Sequence, residues 1–192
     1  MLCVKKRLGD ISEITTGITG FIDNGTHQYN VVQPNSFTDT GEMESVEVQS
    51  RNDKLSDKQL LVWGDILVKR LNPSFVHVIT QKSTEMVASQ NLLVVRPLSE
   101  IDPFYLGYLL EQKEFLGQVE QVTGSAAAIK AISIKKLADI SVPLIPISDQ
   151  QKVGEIWKLA RKRKKLLNDY TLENDRLMSM LASKIISGGT EK

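Results

Sequence analysis

Sulfur and imidazole chemistry have almost nothing to work with in this chain. It holds one cysteine, Cys3, and two histidines, His27 and His77. One thiol cannot close an internal disulfide, and a cysteine-based zinc site needs several. With two histidines in total, a metal-centred mechanism is not expected. No apolar run approaches the roughly 20 residues of a membrane helix, so no membrane partner is expected. The opening Met1-Leu2-Cys3-Val4-Lys5-Lys6-Arg7 places its basic residues after its apolar ones, and no apolar core follows. That is not the order of a secretory signal, and the expected location is cytoplasmic. No glycine-rich loop follows a strand to cradle phosphates, and no Ser/His/Asp or Cys/His set presents itself.

What is present is the balance of an ordinary globular protein: 192 residues, 41% hydrophobic and 24% charged. The length allows one or two domains. The net charge of +1 hides an asymmetry. Residues 1–147 carry 14 basic against 17 acidic side chains, or −3; residues 148–192 carry 10 against 6, or +4. A nucleic-acid coat protein would be basic throughout. If this chain binds DNA, its globular part does so through a local patch.

The globular part reads as α+β with short strands and no regular βαβ alternation. Leu8, Ile11 and Ile14 are spaced as a short opening helix, followed by a loop over Thr15 to Gly20. Strands are expected at Tyr29–Gln33, Ser45–Gln49, Ile66–Val68, Phe75–Thr80, Met86–Ala88, Leu92–Arg96 and Ile140–Leu144. Pro103 suits the first turn of a helix running through Leu110. Phe115, Leu116, Val119 and Val122 form a second apolar stripe, and Ser133 caps a single turn through Leu137.

The C-terminal part reads as one long helix, Asp149 to Ile186, with Ser148 as N-cap and Gln151 completing a capping box. At 1.5 Å per residue its length is about 57 Å, against a usual helix of about 11–12 residues. Val153, Ile156, Ala160, Leu167, Tyr170, Leu177 and Leu181 recur at a/d spacing, with Arg163 and Asn174 as polar interruptions. This is a coiled-coil seam; the alternative is a helix packed along its own domain. The expected division is a domain over 1–147, a spacer helix over 148–187 and a flexible tail over 188–192.

Several segments carry candidate chemistry. Lys69-Arg70-Leu71-Asn72-Pro73-Ser74 follows an apolar strand, so its polar groups emerge at a strand end. Arg and Lys suit guanine edges, Asn suits adenine, and Ser suits phosphate or base. Arg161 to Lys165 is the densest basic run, but five consecutive helical residues point all round the axis. It fits a phosphate contact, a solvated face or an acidic partner. Gly124-Ser125 and the small residues after it fit either a connecting loop or a close approach to a partner. Asp65 is expected to serve a turn, and His77 to be a hydrogen-bonded or edge histidine. Asn72-Pro73-Ser74-Phe75 partly resembles the Asn-Pro-Pro-Tyr/Phe motif of amino-methyltransferases, but Ser replaces the second Pro and no cofactor loop accompanies it. Methyl transfer by this chain is not expected.

Four segments, in order, resemble the DNA-specificity (S) subunits of type I restriction–modification systems. They are Leu8-Gly9-Asp10-Ile11-Ser12-Glu13-Ile14 with Thr16-Gly17; Gly64-Asp65-Ile66-Leu67-Val68; Gly124-Ser125 with Ile134, Leu137 and Ile140; and Val142 to Gln151. The last departs from the family's pattern in having Ile-Pro-Ile for Pro-Pro-Leu and Asp-Gln for Glu-Gln. The resemblance implies a mixed α/β target-recognition domain that reads a half-site in double-stranded DNA, followed by a long coiled-coil helix. It implies a non-catalytic subunit without its own cofactor. Methylation would belong to a modification subunit carrying S-adenosylmethionine, and cleavage to a restriction subunit. The chain looks half-sized, with one recognition domain and one helix. A homodimer through Val153, Ile156, Ala160, Leu167, Tyr170, Asn174, Leu177 and Leu181 would rebuild the two-domain layout. The implied DNA contacts are Lys69, Arg70, Asn72, Ser125 and Lys130. The competing reading is a truncated or decoy S-like protein that binds the modification subunit without reading DNA.

Overall fold

The computed structural model describes residues 4–38, 41–71, 76–81, 85–112, 114–115 and 131–188. In chain order the elements are β1 (Val4–Arg7), α1 (Leu8–Ile11), β2 (Ser12–Thr16), β3 (His27–Val32), β4 (Glu47–Arg51), β5 (Ile66–Lys69), β6 (Val76–Val78), β7 (Met86–Ala88), β8 (Leu92–Pro97), α2 (Pro103–Glu111), α3 (Ile134–Ala138), β9 (Ser141–Leu144) and α4 (Ile147–Gly188). The fold class is the expected one: mixed sheets and helices, then a long C-terminal helix. The chain separates into two compact units, Met1–Glu155 and Ile156–Lys192.

In the first unit, β8 and β5 carry unbroken apolar runs, Leu92 to Val95 and Ile66 to Val68, buried on both faces. Such strands belong in the middle of a sheet. The observed order is β2-β8-β5-β6, with every neighbouring pair antiparallel. A second sheet, β4-β3-β7, pairs β3 antiparallel with β4 and parallel with β7. Leu67, Leu92 and Val94 of the first sheet cluster with Val32, Met86 and Ala88 of the second. A smaller cluster joins Tyr29, Val31, Leu55 and Val87, where the Leu55 amide donates to the Tyr29 hydroxyl at 2.9 Å.

The structure differs from the sequence reading chiefly at four places, besides small shifts at the ends of β3, β6 and β9. The opening helix is a single turn, Leu8–Ile11, and Ile14 lies in β2 instead. Val4–Arg7 is a strand paired antiparallel with the sequence-remote Ser141–Leu144, in the register Val4↔Leu144 to Arg7↔Ser141. Strand β4 lies at Glu47–Arg51, two residues beyond its expected span. Helix α4 starts at Ile147, and the Gln150 amide donates to the Pro146 carbonyl at 3.0 Å. Ser148 therefore sits inside the first turn and is not the cap. Of the second apolar stripe, Phe115 is buried and the remainder lies outside the described residues.

The start of α4 is fastened to α2 by a buried amide. Gln150 is 1% exposed. Its Oε1 accepts from the Asp102 amide at 2.9 Å, and its Nε2 donates to the carbonyls of Ile145 at 2.8 Å and Glu100 at 3.3 Å. Asp102 in turn caps α2, accepting from the amides of Phe104 and Tyr105. One turn further along α4, Gly154 lies against the same cap.

Two substitutions test this junction. Gly→Ala inside a helix ordinarily gains about 1 kcal/mol. At Gly154 the added Cβ would come within 2.7 Å of Asp102 Oδ1 and 2.9 Å of Phe104 Cβ, so Gly154→Ala is expected to destabilise. Gln150→Leu strands a buried amide and carbonyl and should cost about 1–3 kcal/mol. Urea denaturation reads both; a stabilised Gly154→Ala variant would contradict the packing.

Candidate nucleic-acid interface

Strands β2 and β5 are both antiparallel to β8, so they run parallel to each other and end at the same end of the sheet. There they flank the start of β8. On one side Thr16 pairs with Leu93, and the Gly17 amide donates to the Leu92 carbonyl at 3.0 Å. On the other side Lys69 pairs with Leu92, and the Arg70 amide donates to the Asn91 carbonyl at 3.0 Å. Two strand spacings put Thr16-Gly17 and Lys69-Arg70 about 10 Å apart. A side chain at position 17 would strike the Ser89 carbonyl, whose oxygen lies 2.1 Å from an ideal Cβ. That is the physical reason for glycine in the Thr-Gly pair.

The same end of the sheet receives a third segment. Leu71 forms an antiparallel bridge with Ala131, and the Ile132 amide donates to the Arg70 carbonyl at 2.8 Å. The flanks of the two segments expected to touch DNA are thus joined by backbone hydrogen bonds. Lys69 and Arg70 are half-buried there. Asn72, Ser125 and Lys130 lie outside the described residues.

A cleft of about 420 Å³ begins beside this end, lined by Thr15 to Thr19, Arg51, Lys58 to Leu61, Val94 and Arg96. Arg96 is held by Asp65, which is 1% exposed. Its Nε and Nη2 donate to the two carboxylate oxygens at 2.7 Å each, and the Val62 amide donates to Asp65 Oδ2 at 2.8 Å. Arg96 also donates to the Leu60 carbonyl at 2.9 Å. The Asp65 hydrogen bond raises Arg96 above the ordinary guanidinium value. Arg51 donates to the Thr19 carbonyl, pairs with Asp53 at 2.8 Å and lies 5.7 Å from the centre of the Phe21 ring. The Arg51 hydrogen bond holds the Asp53 carboxyl below its ordinary value.

Asp65 serves the expected turn, with its amide donating to the Val62 carbonyl, and is also the buried half of an ion pair. His77 is hydrogen-bonded, with Nδ1 at 3.0 Å from the Gly41 carbonyl oxygen. Asp53 and Asp57 do not assemble with other acids or histidines into a metal cluster among the described residues. No helix among them is long and apolar enough to cross a membrane.

In the unit Ile156–Lys192, the seam residues Ile156, Ala160, Leu167, Tyr170, Asn174, Leu177 and Leu181 are exposed, Ile156 to 67% and Tyr170 to 72%. Val153, in the first unit, is half-buried. Arg161 lies over Trp157 with its guanidinium carbon 4.9 Å from the ring centre, and Lys162 to Lys165 are exposed.

Sequence reasoning missed Arg51 and Arg96, and weighed Lys58 only beside Asp53 and Asp57 as a nuclease-type set that lacks a strand framework. A signal existed for Arg96. It shares strand parity with buried Leu92 and Val94, and a cation on a buried face demands a partner. Arg51 and Lys58 left no comparable trace, since nothing local marks a cation that lines a cleft.

A family model described as the type I restriction modification DNA specificity domain matches residues 3–169. A putative type I restriction enzyme MjaX specificity subunit from Methanocaldococcus jannaschii is 28% identical over 104 residues, covering 52% of this chain and 24% of its own. Among solved structures, the HsdS subunit from Thermoanaerobacter tengcongensis superposes with a TM-score of 0.61 at 19% identity, over 96% of this chain and 44% of that one. A chain from work on complex assembly and conformational transition of the type I R-M system gives 0.63 at 20% identity, over 93% and 43%. The chain therefore spans less than half the length of each of these relatives, and the two structural likenesses bear on the fold.

The buried ion pair sets an expectation of its own. Removing one partner of such a pair typically costs about 3–5 kcal/mol. Asp65→Ala should lower stability by that order in urea denaturation, and a loss under about 1 kcal/mol would mark the pair as a surface contact.

Proposed function

This chain belongs to the family of type I restriction modification DNA specificity domains, and we propose that it is the non-catalytic subunit that reads DNA for a partner methyltransferase. Residues 1–147 form the target-recognition domain and 148–187 the spacer helix. The observation that carries the reading is the convergence at one sheet end of Thr16-Gly17, Lys69-Arg70 and the Leu71↔Ala131 bridge. Strand ends backed by a buried sheet give a rigid base for side chains that probe a groove. Lys69, Arg70 and Lys130 serve phosphates or base edges, and Asn72 and Ser125 add polar contacts.

The second copy pairs through the α4 seam. Its support is the exposure of apolar a/d residues from Ile156 to Leu181, which a free helix in water would leave unsatisfied. A two-fold pair of recognition domains reads a bipartite palindrome with a fixed spacer. The modification subunit supplies S-adenosylmethionine and the transfer chemistry, and a restriction subunit supplies cleavage.

Methylated adenines should be mapped in a host expressing the modification subunit, with and without this chain. A bipartite palindromic motif that appears only with the chain is the expected result. An asymmetric motif would replace the homodimer by a pair of unlike recognition domains. No new motif, with binding to the modification subunit intact, would establish the decoy reading instead.

Two further outcomes are expected. Lys69→Ala with Arg70→Ala should weaken binding to the target duplex by about 1–3 kcal/mol, read by fluorescence anisotropy. Arginine at both Ala160 and Leu177 should split the dimer, read by light scattering; an unchanged mass would remove the seam.

A further inference from the structure

We propose that the cleft between Thr15–Thr19 and the Lys58–Leu61 segment holds a backbone phosphodiester, making Arg51 and Lys58 a phosphate site beside the base-reading end of the sheet. The proposal rests on the DNA-reading function above and adds residues that neither the motifs nor the family match single out.

Three observations carry it. The first is the charge of the lining. Three cations, Arg51, Lys58 and Arg96, line the cleft, and no carboxylate does among the described residues. Arg51 is paired with Asp53 and Arg96 with Asp65, whereas Lys58 makes no ion pair among the described residues. One surplus positive charge matches the single negative charge of a phosphodiester.

The second is an unmet donor. The Arg51 side chain is 13% exposed, and its Nε is buried with no hydrogen-bond partner. A buried donor left unpaired is costly, and a phosphate oxygen in the cleft would pair it once the guanidinium turned toward the lining. Thr15 and Thr19, which also line the cleft, carry hydroxyls able to donate.

The third is position. Thr16-Gly17 closes one side of the cleft and also flanks β8 opposite Lys69-Arg70. The Thr16-Gly17 edge of the cleft lies about 10 Å from Lys69-Arg70 across two strand spacings, and the Lys58 end lies further off, beside Arg96 toward the other end of β8. One duplex spanning both can offer a phosphate to the cleft while its base edges meet the Lys69 side. The cleft is built in the first unit alone, so it needs neither α4 beyond Glu155 nor a second copy.

The test uses the full chain and a duplex of about 30 base pairs, with the binding constant followed against salt. Each phosphate neutralised contributes about 0.9 to the slope of log K against log salt. Lys58→Gln should lower the slope by about that amount. Lys54→Gln, the same charge change at a nearby exposed lysine outside the cleft, should leave it unchanged. Equal slopes for the wild type and Lys58→Gln would overturn the proposal, as would an equal fall in both variants.

A second arm separates the cleft from the DNA-reading function. Inorganic phosphate is titrated into the labelled protein while amide shifts are followed. Shifts at Gly17, Thr19 and Lys58 that vanish in Lys58→Gln support the site. Such shifts without duplex binding by the wild type would keep the anion site and overturn its assignment to DNA. Absence of both the shifts and the slope change would overturn the site itself.

Discussion

The Asp65 carboxylate is the group around which the central sheet and the cleft beside it are built. It is buried at the start of β5, where an unpaired charge would be prohibitively costly. The solution takes three hydrogen bonds: two from Arg96 on the adjacent strand β8 and one from the Val62 amide. Arg96 then has a donor to spare, and it takes the Leu60 carbonyl. One ion pair therefore ties two central strands together and suspends the Lys58–Val62 segment beside them. That segment is a wall of the cleft. A pair of apolar residues could fill the same space with less desolvation cost, but could not hold a backbone segment by its carbonyls.

Much of this was legible in advance, and the illegible parts share a cause. The buried central strands announced themselves as apolar runs, and α2 by Pro103 and its following apolar residues. The long helix followed from length, spacing and the absence of proline. What failed was whatever depends on a partner remote in sequence. Val4–Arg7 has no apolar alternation and becomes a strand only because β9 offers its backbone. Ser148 reads as the cap of α4 by composition, but Pro146 presents the first accepting carbonyl two residues earlier than expected. Gln151 reads as the partner in a capping box, yet Gln150 is the buried glutamine of that turn, because the position of Asp102 decides which face turns inward. Of the expected DNA contacts, Lys69 and Arg70 were placed at a strand end by their position after an apolar run. Their proximity to the Ala131 segment is a long-range pairing that no local pattern contains.

The two ends of α4 obey different rules. Up to Glu155 its residues are chosen by a tightly fitted junction, with a buried amide at Gln150 and no room for a Cβ at Gly154. From Ile156 onward the seam residues are solvent-exposed and repeat at a spacing set by helix geometry. The first stretch reads as part of a domain's interior; the second has the pattern of a surface awaiting another helix.

The join between Leu71 and Ala131, with the Ile132 amide on the Arg70 carbonyl, is made wholly of main-chain atoms. Main-chain hydrogen bonds are indifferent to the identity of the side chains beside them. Side chains beside these anchors can therefore change without altering the main-chain join itself. What this end of the sheet presents is thereby separated from what holds it together.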